Sequence, residues 1–544
     1  MRQKLALGIQ DFRKVRENNF YYVDKTRMIG EFLRYSSEVT LVTRPRRFGK
    51  TINMSMMAEF FDMTKDSKEI FSGLAVMDSE YADHINDYPV VFLTFKDAKG
   101  GRDTLVKFLK MELFREYQRY DYIFNDLNAY ESVRYNLIYH SLMDLTAVDL
   151  SGVNDAIGFL VERLYKNYGR KVLLFIDEYD TPFLEAHVGG YYTAVRDDLS
   201  SLLRTALKGN EFLEMAMLTG IQRVAKENIF SGLNNLLVCT VKDPEYSDCF
   251  GFTKEETADL LKNFGQELST EVRAMYDGYH FFDTDVYNPW SIVNYAHRKI
   301  LQPYWVNTSE NRMIRSAMES CDRSFFNNYD KLIERNEIMV ALKVETPFFE
   351  VPGPPSLWGL LLNAGMITID RMISTDFYQI RIPNREVKMA FIELTEGYLK
   401  LADGAFTGMF GSLLNGDVES FIEQYRAILL ELPSYYDLKD ENSYHMMMLG
   451  MCVCLSDKYE ISSNREYGQG RSDIRLCAYI SGYPDIILEF KYTKEESVDL
   501  VSLANKALNQ IKAGKYTTGL KSKDTLCIGL AHRGKIAEVV WSRN

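Results

Sequence analysis

Short apolar runs separated by polar or glycine-containing stretches characterise the first part of the chain. Such runs, rich in aliphatic and β-branched residues, predict buried strands of a parallel sheet. After the first run, TINMSMMAEFFD (51–62) has the apolar periodicity of an amphipathic helix. The predicted strands are EVTLV (38–42), KVLLFID (171–177) and FLEMAMLTG (212–220). The pattern predicts an α/β domain built on a parallel sheet.

Alternation of apolar and polar residues, typical of half-buried strands, returns near the end of the chain. A long helical region precedes it from Gly411 onward, and a helical segment, ALNQIKAGKY (507–516), interrupts it. The predicted strands are YEISSNRE (459–466), SDIRLCAYI (472–480), DIILEFKYT (485–493) and TLCIGLAHRGKIAEVVW (525–541). The order helix, three strands, helix, strand predicts a second α/β domain.

The stretch between these domains is predicted to be mostly helical, with glycine-containing turns. One apolar helix, SLWGLLLNAG (356–365), precedes two short strands and a further helix that begins REVKMAF (385–391). Helix, hairpin and helix resemble the later part of a winged-helix domain, but no dense basic recognition helix accompanies them. We favour a packing role for this region and leave DNA binding open.

Composition and charge narrow the class of protein. The chain has 544 residues, a net charge of −12 and 46% hydrophobic residues, which suits several folded domains. The negative charge argues against a wholly electrostatic nucleic-acid binder, although the residues from Lys491 onward carry ten basic and five acidic side chains. Seven scattered cysteines without a C-x-x-C pair do not predict structural zinc. With no apolar run of membrane-helix length and no signal peptide, we expect a cytoplasmic protein without membrane contact.

The segment TRPRRFGKT (43–51) lies between the first predicted strand and helix, the context of a phosphate-binding loop. Lys50 and the Thr51 hydroxyl would serve the outer phosphates and Mg²⁺, whereas Arg44 stands where the first glycine is expected. A turn that enters a helix with a solvated lysine is the alternative for Gly-Lys-Thr alone. The candidate nucleotide-binding residues of the loop are Arg44, Pro45, Arg46, Arg47, Phe48, Gly49, Lys50 and Thr51.

Two acidic residues end the second predicted strand and strengthen the nucleotide hypothesis. Asp177 would order the water shell of Mg²⁺ together with Thr51, and Glu178 would polarise an attacking water as a catalytic residue. Thr219, at the end of the third strand, and Arg223 are candidates for sensing the γ-phosphate and stabilising transferred charge. The alternative is that Thr219 merely ends a strand and Arg223 caps a turn.

These segments resemble a known family. GIQDFRKVRENNFYYVDKTRMI, TRPRRFGKT, FIDEYD and TGIQRVAKENIFSGLNN are similar to the bacterial and archaeal AAA-ATPase-like family, whose loop has arginines and a proline in place of the first glycine. The resemblance implies ATP and Mg²⁺ as cofactors, and it allows a homo-oligomer. It also implies that Asp24 and Lys25 lie near the nucleotide.

A second cluster of charged residues lies on the predicted strands of the C-terminal domain. Glu489 and Lys491 are two apart on one strand and therefore project from the same face, while Asp473 begins the preceding strand. Asp473 and Glu489 would bind Mg²⁺, and Lys491 would orient or deprotonate the attacking water. An exposed hairpin with solvated charges is the alternative.

The spacing of Asp473 and Glu489-x-Lys491 resembles the PD-(D/E)xK nuclease superfamily. The resemblance implies a restriction-endonuclease-like fold and places Gln510, on the following helix, beside the catalytic carboxylates. Glu441 and His445, on the preceding helix, are further candidate ligands.

Taken together, the motifs predict four parts and a leading function. That function is a nucleotide-controlled, metal-dependent nuclease acting on DNA or RNA, in defence or nucleic-acid processing. The alternatives are a nucleotide-dependent switch or scaffold with an inactive nuclease-like domain, and a DNA-binding ATPase. The expected parts are a phosphate-loop domain (1–245), a helical lid or connector (246–335), a winged-helix-like region (336–410) and a nuclease-like domain (411–544).

Overall fold

The computed structural model describes most of the chain. The described residues are 3–146, 149–223, 236–305, 314, 317–318, 323–344, 353–398, 404–432, 441–455, 458–467, 470–479, 481–520 and 524–543. Residues 224–235, which carry most of the TGIQRVAKENIFSGLNN phrase, lie outside them.

The described residues divide into two compact units. The first comprises Met1–Tyr304 and Ala341–Asp370, and the second comprises Trp305–Val340 and Arg371–Asn544. The four-part division expected from sequence stays a prediction.

Parallel strands and their connecting helices build the first unit. In chain order up to Tyr304 the elements are β1 (Lys4–Leu5), α1 (Phe12–Glu17), β2 (Phe20–Tyr21), α2 (Arg27–Tyr35), β3 (Val39–Thr43), α3 (Lys50–Phe61), α4 (Lys68–Phe71), β4 (Val90–Thr94), α5 (Arg102–Arg119), α6 (Ala129–Met143), α7 (Ala156–Tyr168), β5 (Val172–Asp177), α8 (Thr181–Val188), α9 (Tyr192–Leu207), β6 (Leu213–Gly220), β7 (Leu236–Cys239), α10 (Lys254–Asn263), α11 (Thr270–Tyr276), β8 (Tyr279–Phe281), β9 (Thr284–Val286) and α12 (Pro289–Arg298).

The rest of the chain contains helices, a small sheet and a larger C-terminal sheet. Its elements are α13 (Arg323–Arg335), β10 (Glu337–Ala341), α14 (Pro354–Asn363), β11 (Thr368–Ser374), β12 (Phe377–Arg381), α15 (Arg385–Tyr398), α16 (Ala405–Leu414), α17 (Val418–Glu431), α18 (Glu441–Cys452), β13 (Tyr459–Tyr467), β14 (Gly470–Ala478), β15 (Asp485–Tyr492), α19 (Leu500–Ala513), β16 (Thr525–Arg533) and β17 (Ile536–Arg543).

A five-stranded sheet in the order β4-β5-β6-β3-β7 forms the centre of the first unit, and every pairing in it is parallel. Strands β3 and β5 are buried along their whole length, which explains why their sequences are continuous apolar runs rather than alternating ones. Strand β6 lies between β3 and β5, so the carboxyl ends of the three strands carry Thr43, Gly220 and Asp177 side by side. The predicted parallel α/β sheet is confirmed.

The C-terminal sheet has five strands in the order β13-β14-β15-β16-β17. The β15–β16 pair is parallel and the other three pairs are antiparallel. Helix α19 connects the two parallel strands and packs on this sheet, burying Ala504, Ala507 and Ile511. The prediction of a C-terminal α/β domain is confirmed, with a mixed sheet.

The helix, hairpin and helix order predicted for the middle of the chain corresponds to α14, β11, β12 and α15. Strands β11 and β12 join β10 in a three-stranded sheet of order β10-β12-β11. The boundary between the two compact units falls within β11, so α14 belongs to the first unit and β12 to the second. The winged-helix interpretation stays a prediction.

Among the described residues, none of the helices combines the length and the apolar character that crossing a lipid bilayer demands.

Candidate nucleotide and metal sites

The loop between β3 and α3 has the backbone geometry that an anion site at a helix N-terminus requires. Gly49 precedes α3 with a φ of +89°, a conformation that glycine adopts without strain. Helix α3 begins at Lys50, so its first N–H groups face the loop. The Lys50 ammonium donates to the carbonyls of Arg44 and Pro45, both at 2.9 Å. The ammonium is therefore held against the loop's own main chain.

Arg44, at the position of the missing glycine, is fully buried. Its guanidinium donates to the carbonyls of Thr43 (2.9 Å), Cys239 (3.0 Å), Glu245 (3.1 Å) and Tyr246 (3.1 Å). Burial lowers the pKa of Arg44 to about 10, which still leaves it charged at neutral pH. The side chain thus ties the loop to the segment after β7, and we assign it to the framework of the site.

Asp177 is fully buried at the end of β5, between the loop and β6. Its Oδ1 accepts a hydrogen bond from the Thr219 hydroxyl at 2.7 Å, and the Thr51 hydroxyl also bonds to this carboxylate. Burial, followed by the charge of Glu178, raises the pKa of Asp177 above its ordinary value. The structure therefore brings Thr51, Asp177 and Thr219 together, and a nearby cation would favour the ionised form of this carboxyl.

A cavity of about 350 Å³ opens in front of the loop. Glu178 lies on its wall and has a φ of +52°, a strained conformation for a non-glycine residue that is common at functional sites. The wall carries charged side chains at and beside the loop, and many of the other residues that line it are apolar. The predicted residues that line it are Arg46, Arg47, Phe48, Gly49, Lys50, Thr51 and Glu178, joined by Lys25 and by apolar residues that include Tyr21, Val23, Phe252, Leu260 and Val293.

Arg47 and Trp290 form a clasp at the mouth of the loop. The Arg47 guanidinium lies over the Trp290 ring at 4.4 Å from the ring centre, a cation–π distance. Both side chains donate to the carbonyl of Tyr304, Arg47 at 3.2 Å and the Trp290 indole N–H at 2.9 Å. The phosphate loop is thereby connected to the start of α12 and to the chain beyond it.

The remaining predicted residues of the nucleotide site lie off the cavity wall. Pro45 contributes its carbonyl to Lys50, and Arg223 is half-buried just after β6. Asp24 lies shortly before α2 and accepts from the Thr26 N–H and hydroxyl at 2.9 and 2.6 Å. None of these three is among the residues that line the cavity in the described part of the chain.

Asp180 is a residue of this site that the sequence interpretation did not single out. Its Oδ2 accepts from the N–H groups of Ile221 (2.8 Å) and Gln222 (3.0 Å), which fixes the turn directly after Thr219. Burial raises the pKa of Asp180 to about 6. The available signal was its place in the FIDEYD phrase, three residues after Asp177.

The second cluster forms where β14 and β15 lie side by side. Asp473 is half-buried and Glu489 is buried, and the Glu489 carboxylate accepts from the Asp473 N–H at 3.4 Å. The Asp473 Oδ2 in turn accepts from the Phe490 N–H at 2.8 Å. These reciprocal bonds hold the two carboxylates at the same point of the sheet.

Lys491 and Gln510 complete this cluster. The Lys491 ammonium lies 3.6 Å from the Glu489 carboxylate and 3.2 Å from that of Glu441. The Gln510 amide on α19 also donates to Glu489. All four residues predicted for this site therefore lie together, and Glu441 adds a third carboxylate from α18.

The charges around Asp473 and Glu489 favour the binding of a cation. Burial and, after it, the Asp473 charge raise the pKa of Glu489 to about 8, while Lys491 acts in the opposite direction. A single ammonium therefore does not offset the cost of holding the carboxylates together. His445 is buried beside them, and its Nε2 is 3.1 Å from the Asp473 carbonyl oxygen and 2.9 Å from the Ser463 hydroxyl. This nitrogen is occupied by protein partners.

Comparison with known families identifies both domains. Residues 6–230 match the family of predicted AAA-ATPases, described as AAA-ATPase-like. Residues 439–541 match the PD-(D/E)XK nuclease superfamily. The chain therefore carries an AAA-ATPase-like domain at its N-terminal side and a PD-(D/E)XK nuclease superfamily domain at its C-terminal side, and both resemblances are confirmed.

Individual relatives add little about activity. An uncharacterised protein from the vnfD 5′ region of Azotobacter chroococcum mcd 1 is 28% identical over 402 residues, which cover 72% of this chain and 70% of that protein. A solved structure of a Signal Transduction ATPase with Numerous Domains protein with a tetratricopeptide repeat sensor, from Pyrococcus horikoshii, shares 12% identity at a TM-score of 0.24. The match covers 76% of this chain and 53% of that one.

Proposed function

We propose that the chain binds and hydrolyses ATP and that its C-terminal domain hydrolyses phosphodiester bonds of nucleic acid with a divalent cation, under the control of the bound nucleotide. The observation that carries the proposal is the convergence of Asp473, Glu489, Lys491 and Gln510 on one point. A fold that raises the pKa of Glu489 to about 8 sacrifices stability there, which is typical of functional sites.

The donor set at this point suits Mg²⁺ or Mn²⁺. Asp473 and Glu489 offer hard carboxylate oxygens, the ligands these ions prefer, and no described cysteine belongs to the cluster. When bound, such an ion supplies positive charge that stabilises the charge developing on a phosphate. Gln510 orients the Glu489 carboxylate, and Lys491, held between Glu441 and Glu489, orients the attacking water.

The loop at the N-terminal site suits a nucleoside triphosphate. Lys50 and Arg46 offer positive charge on the cavity wall, and the α3 N-terminus offers N–H groups to the phosphates. Thr51 and Asp177 would hold Mg²⁺, which supplies charge that neutralises the outer phosphates. Glu178 lies on the cavity wall, where it would polarise the attacking water. The Thr219 hydroxyl donates to Asp177, and through this hydrogen bond Thr219 would sense the γ-phosphate.

The experiment is a cleavage assay with labelled single- and double-stranded DNA and RNA, with Mg²⁺ or Mn²⁺ and ATP supplied. Asp473→Ala, Glu489→Ala and Lys491→Ala should each abolish cleavage, because the carboxylates hold the ion and the lysine acts on water. Gln510→Ala should give a smaller loss, since it only positions Glu489.

Two controls sharpen this assay. Glu496→Ala removes an exposed carboxylate of the same domain and should leave cleavage unchanged. Calcium should support binding of nucleic acid without efficient cleavage, because it takes looser oxygen shells. Cleavage retained by Glu489→Ala would refute the assignment, and no cleavage of any substrate by the wild type would favour a switch or scaffold.

A further inference from the structure

Two segments of the nucleotide site lie against each other where β5 and β6 end. The first, called here the acidic turn, comprises residues 178–180 and begins with Glu178. The second, called here the β6 end, comprises residues 219–222. A Cβ atom on Gly220 would lie 2.7 Å from the Asp180 Oδ1, so a glycine is required for this close approach.

Four hydrogen bonds join the acidic turn to the β6 end. The Tyr179 N–H donates to the Thr219 carbonyl at 3.0 Å, and the Tyr179 hydroxyl donates to the Gln222 carbonyl at 3.0 Å. The Asp180 Oδ2 accepts from the N–H groups of Ile221 (2.8 Å) and Gln222 (3.0 Å). Both Tyr179 and Asp180 are fully buried. Water therefore does not compete for these bonds, and the position of the acidic turn relative to β6 is fixed.

The Asp180 carboxylate makes this contact although its position offers another use. Asp180 is the N-cap residue of α8, where an aspartate ordinarily accepts from the first N–H groups of its own helix. Within the described chain it makes no such capping bond, and its Oδ1 has no hydrogen-bond partner. An unpaired buried carboxylate oxygen costs stability and calls for a functional explanation.

The backbone of Glu178 supplies that explanation. Its φ of +52° lies in the left-handed region, which a non-glycine residue keeps only where the surrounding structure holds it there. Asp177 precedes it at the end of a buried strand, and the two residues that follow it are those anchored to the β6 end. The main chain is thus fixed on both sides of Glu178, whose side chain lies on the cavity wall.

We propose that Asp180 is a positioning residue for ATP hydrolysis, which keeps Glu178 in its strained conformation by holding the acidic turn against the β6 end. This role rests on the ATPase activity proposed above. Asp180 is not among the described residues that line the cavity, so it acts through Glu178 rather than on the nucleotide. When the anchor is removed, the turn relaxes and the Glu178 carboxylate moves away from the water that it would polarise.

The first experiment measures kcat for ATP hydrolysis and the affinity for ATP in parallel. Asp180→Ala should lower kcat by at least roughly tenfold, because a small displacement of a catalytic group is costly. The affinity for ATP should change by less than about threefold, since the phosphate loop is untouched. Asp180→Asn should restore kcat to within about threefold of the wild type, because its amide oxygen can accept the same two N–H groups.

A double-mutant cycle separates positioning from general damage. In a Glu178→Gln background, Asp180→Ala should lower kcat by less than about twofold, because the group that it positions is already altered. The matched control is Asp62→Ala, which removes a carboxylate that is 1% exposed and accepts the Thr64 N–H at 3.0 Å. Asp62 follows α3 at the end opposite the phosphate loop, so this variant should lose stability without losing kcat.

The proposal is overturned if Asp180→Ala keeps the wild-type kcat, or if it costs as much in the Glu178→Gln background as in the wild type. If Asp180→Ala does not fold, Tyr179→Phe decides instead, because it loses one of the four bonds and keeps its ring. It should lower kcat by about threefold at an unchanged affinity for ATP. An unchanged kcat in Tyr179→Phe would then refute the positioning role.

Thermal unfolding without nucleotide tests the strain itself. Glu178→Gly relieves the left-handed conformation and should raise the Tm of the wild type by about 2 °C. The same substitution should raise the Tm by less than half as much in Asp180→Ala or Tyr179→Phe, where the turn has relaxed. An equal rise in all backgrounds would overturn the proposal even in a chain that hydrolyses ATP. A wild type without ATPase activity would refute the proposed function and the positioning role together, whereas loss of the Asp180 effect alone would refute only the latter.

Discussion

Arg44 and Arg46 lie two positions apart in the phosphate loop, and their side chains have different surroundings. Arg44 is buried with four main-chain acceptors, whereas Arg46 is half-buried on the cavity wall. We expect Arg44→Ala to lower the free energy of unfolding by on the order of 3 kcal/mol, because four buried carbonyls lose their donor. Arg46→Ala should change it by less than about 0.5 kcal/mol and should weaken ATP binding instead.

Urea unfolding and ATP titration of the two variants would check this contrast. Arg44→Lys serves as a control, because it keeps a charge but loses the planar fork that reaches several acceptors. Equal stability of Arg44→Ala and the wild type would contradict the framework role.

The raised pKa of Glu489 predicts that the free energy of unfolding falls as the pH rises, which is unusual for a carboxyl group. Its pKa is about 8 in the folded chain against an ordinary value of 4.5, so between these values the folded state holds a proton that the unfolded state has released. Stability from this group is therefore complete below about pH 4.5 and is lost as the pH rises towards 8. Glu489→Gln keeps a neutral group and should exceed the chelator-treated wild type by on the order of 2 kcal/mol at pH 8.5, with little difference at pH 4.5.

Thermal unfolding at the two pH values, with EDTA or with Mn²⁺, measures this effect. Mn²⁺ should raise the stability of the wild type at pH 8.5 and leave Glu489→Gln nearly unaffected. If the stabilities of the two proteins changed in the same way between the two pH values, Glu489 would not hold a proton in the folded chain.

Single residues also mark what the sequence could and could not predict. Asp473, Glu489 and Lys491 were predictable because strand periodicity and motif spacing are local properties of the chain, whereas Gln510 followed from the resemblance to the PD-(D/E)xK superfamily. The surroundings of Arg44 were not, since one of its acceptors, Cys239, is 195 positions away. Spacing places residues on a face but does not identify distant main-chain partners.

At the scale of secondary structure elements, the clasp of Arg47 and Trp290 connects the phosphate loop to α12. A phosphate forms stronger hydrogen bonds with a guanidinium than an aromatic face and one carbonyl provide. We therefore expect MgATP to draw Arg47 away from Trp290 and to change the tryptophan fluorescence. The change should vanish in Trp290→Phe.

The chain has four tryptophans, which supplies a control. Trp541→Phe on β17 removes a 40%-exposed indole and should leave the response to MgATP intact. A response that persists in Trp290→Phe would show that the clasp does not sense the nucleotide.

The C-terminal strands show how element prediction succeeds and fails. The segment TLCIGLAHRGKIAEVVW was expected to be one strand, but it forms β16 and β17 around a turn at Gly534, which has a φ of +58°. Strand β16 is buried throughout, whereas β17 alternates at the edge of the sheet. The two-residue turn, Gly534-Lys535, is short and polar, so its turn signal in the sequence is weak beside two long apolar runs.

At the scale of the whole molecule, the chain combines an AAA-ATPase-like domain and a PD-(D/E)XK nuclease superfamily domain. Each compact unit contains a cluster whose residues lie within hydrogen-bonding distance of one another. Two such sites in one chain suggest that one regulates the other, and this control by nucleotide is the central proposal.

The most direct test is the initial rate of nucleic-acid cleavage in Mg²⁺, with and without ATP, for the wild type and for Lys50→Ala. Lys50→Ala should bind no ATP, because the ammonium that neutralises the outer phosphates is gone, and Glu178→Gln should bind ATP but turn it over slowly. We predict that ATP changes the wild-type rate by at least roughly tenfold and leaves the rate of Lys50→Ala unchanged, with Asp473→Ala as the inactive blank. A wild-type rate that is the same with and without ATP, or an equal response to ATP in Lys50→Ala, would contradict nucleotide control.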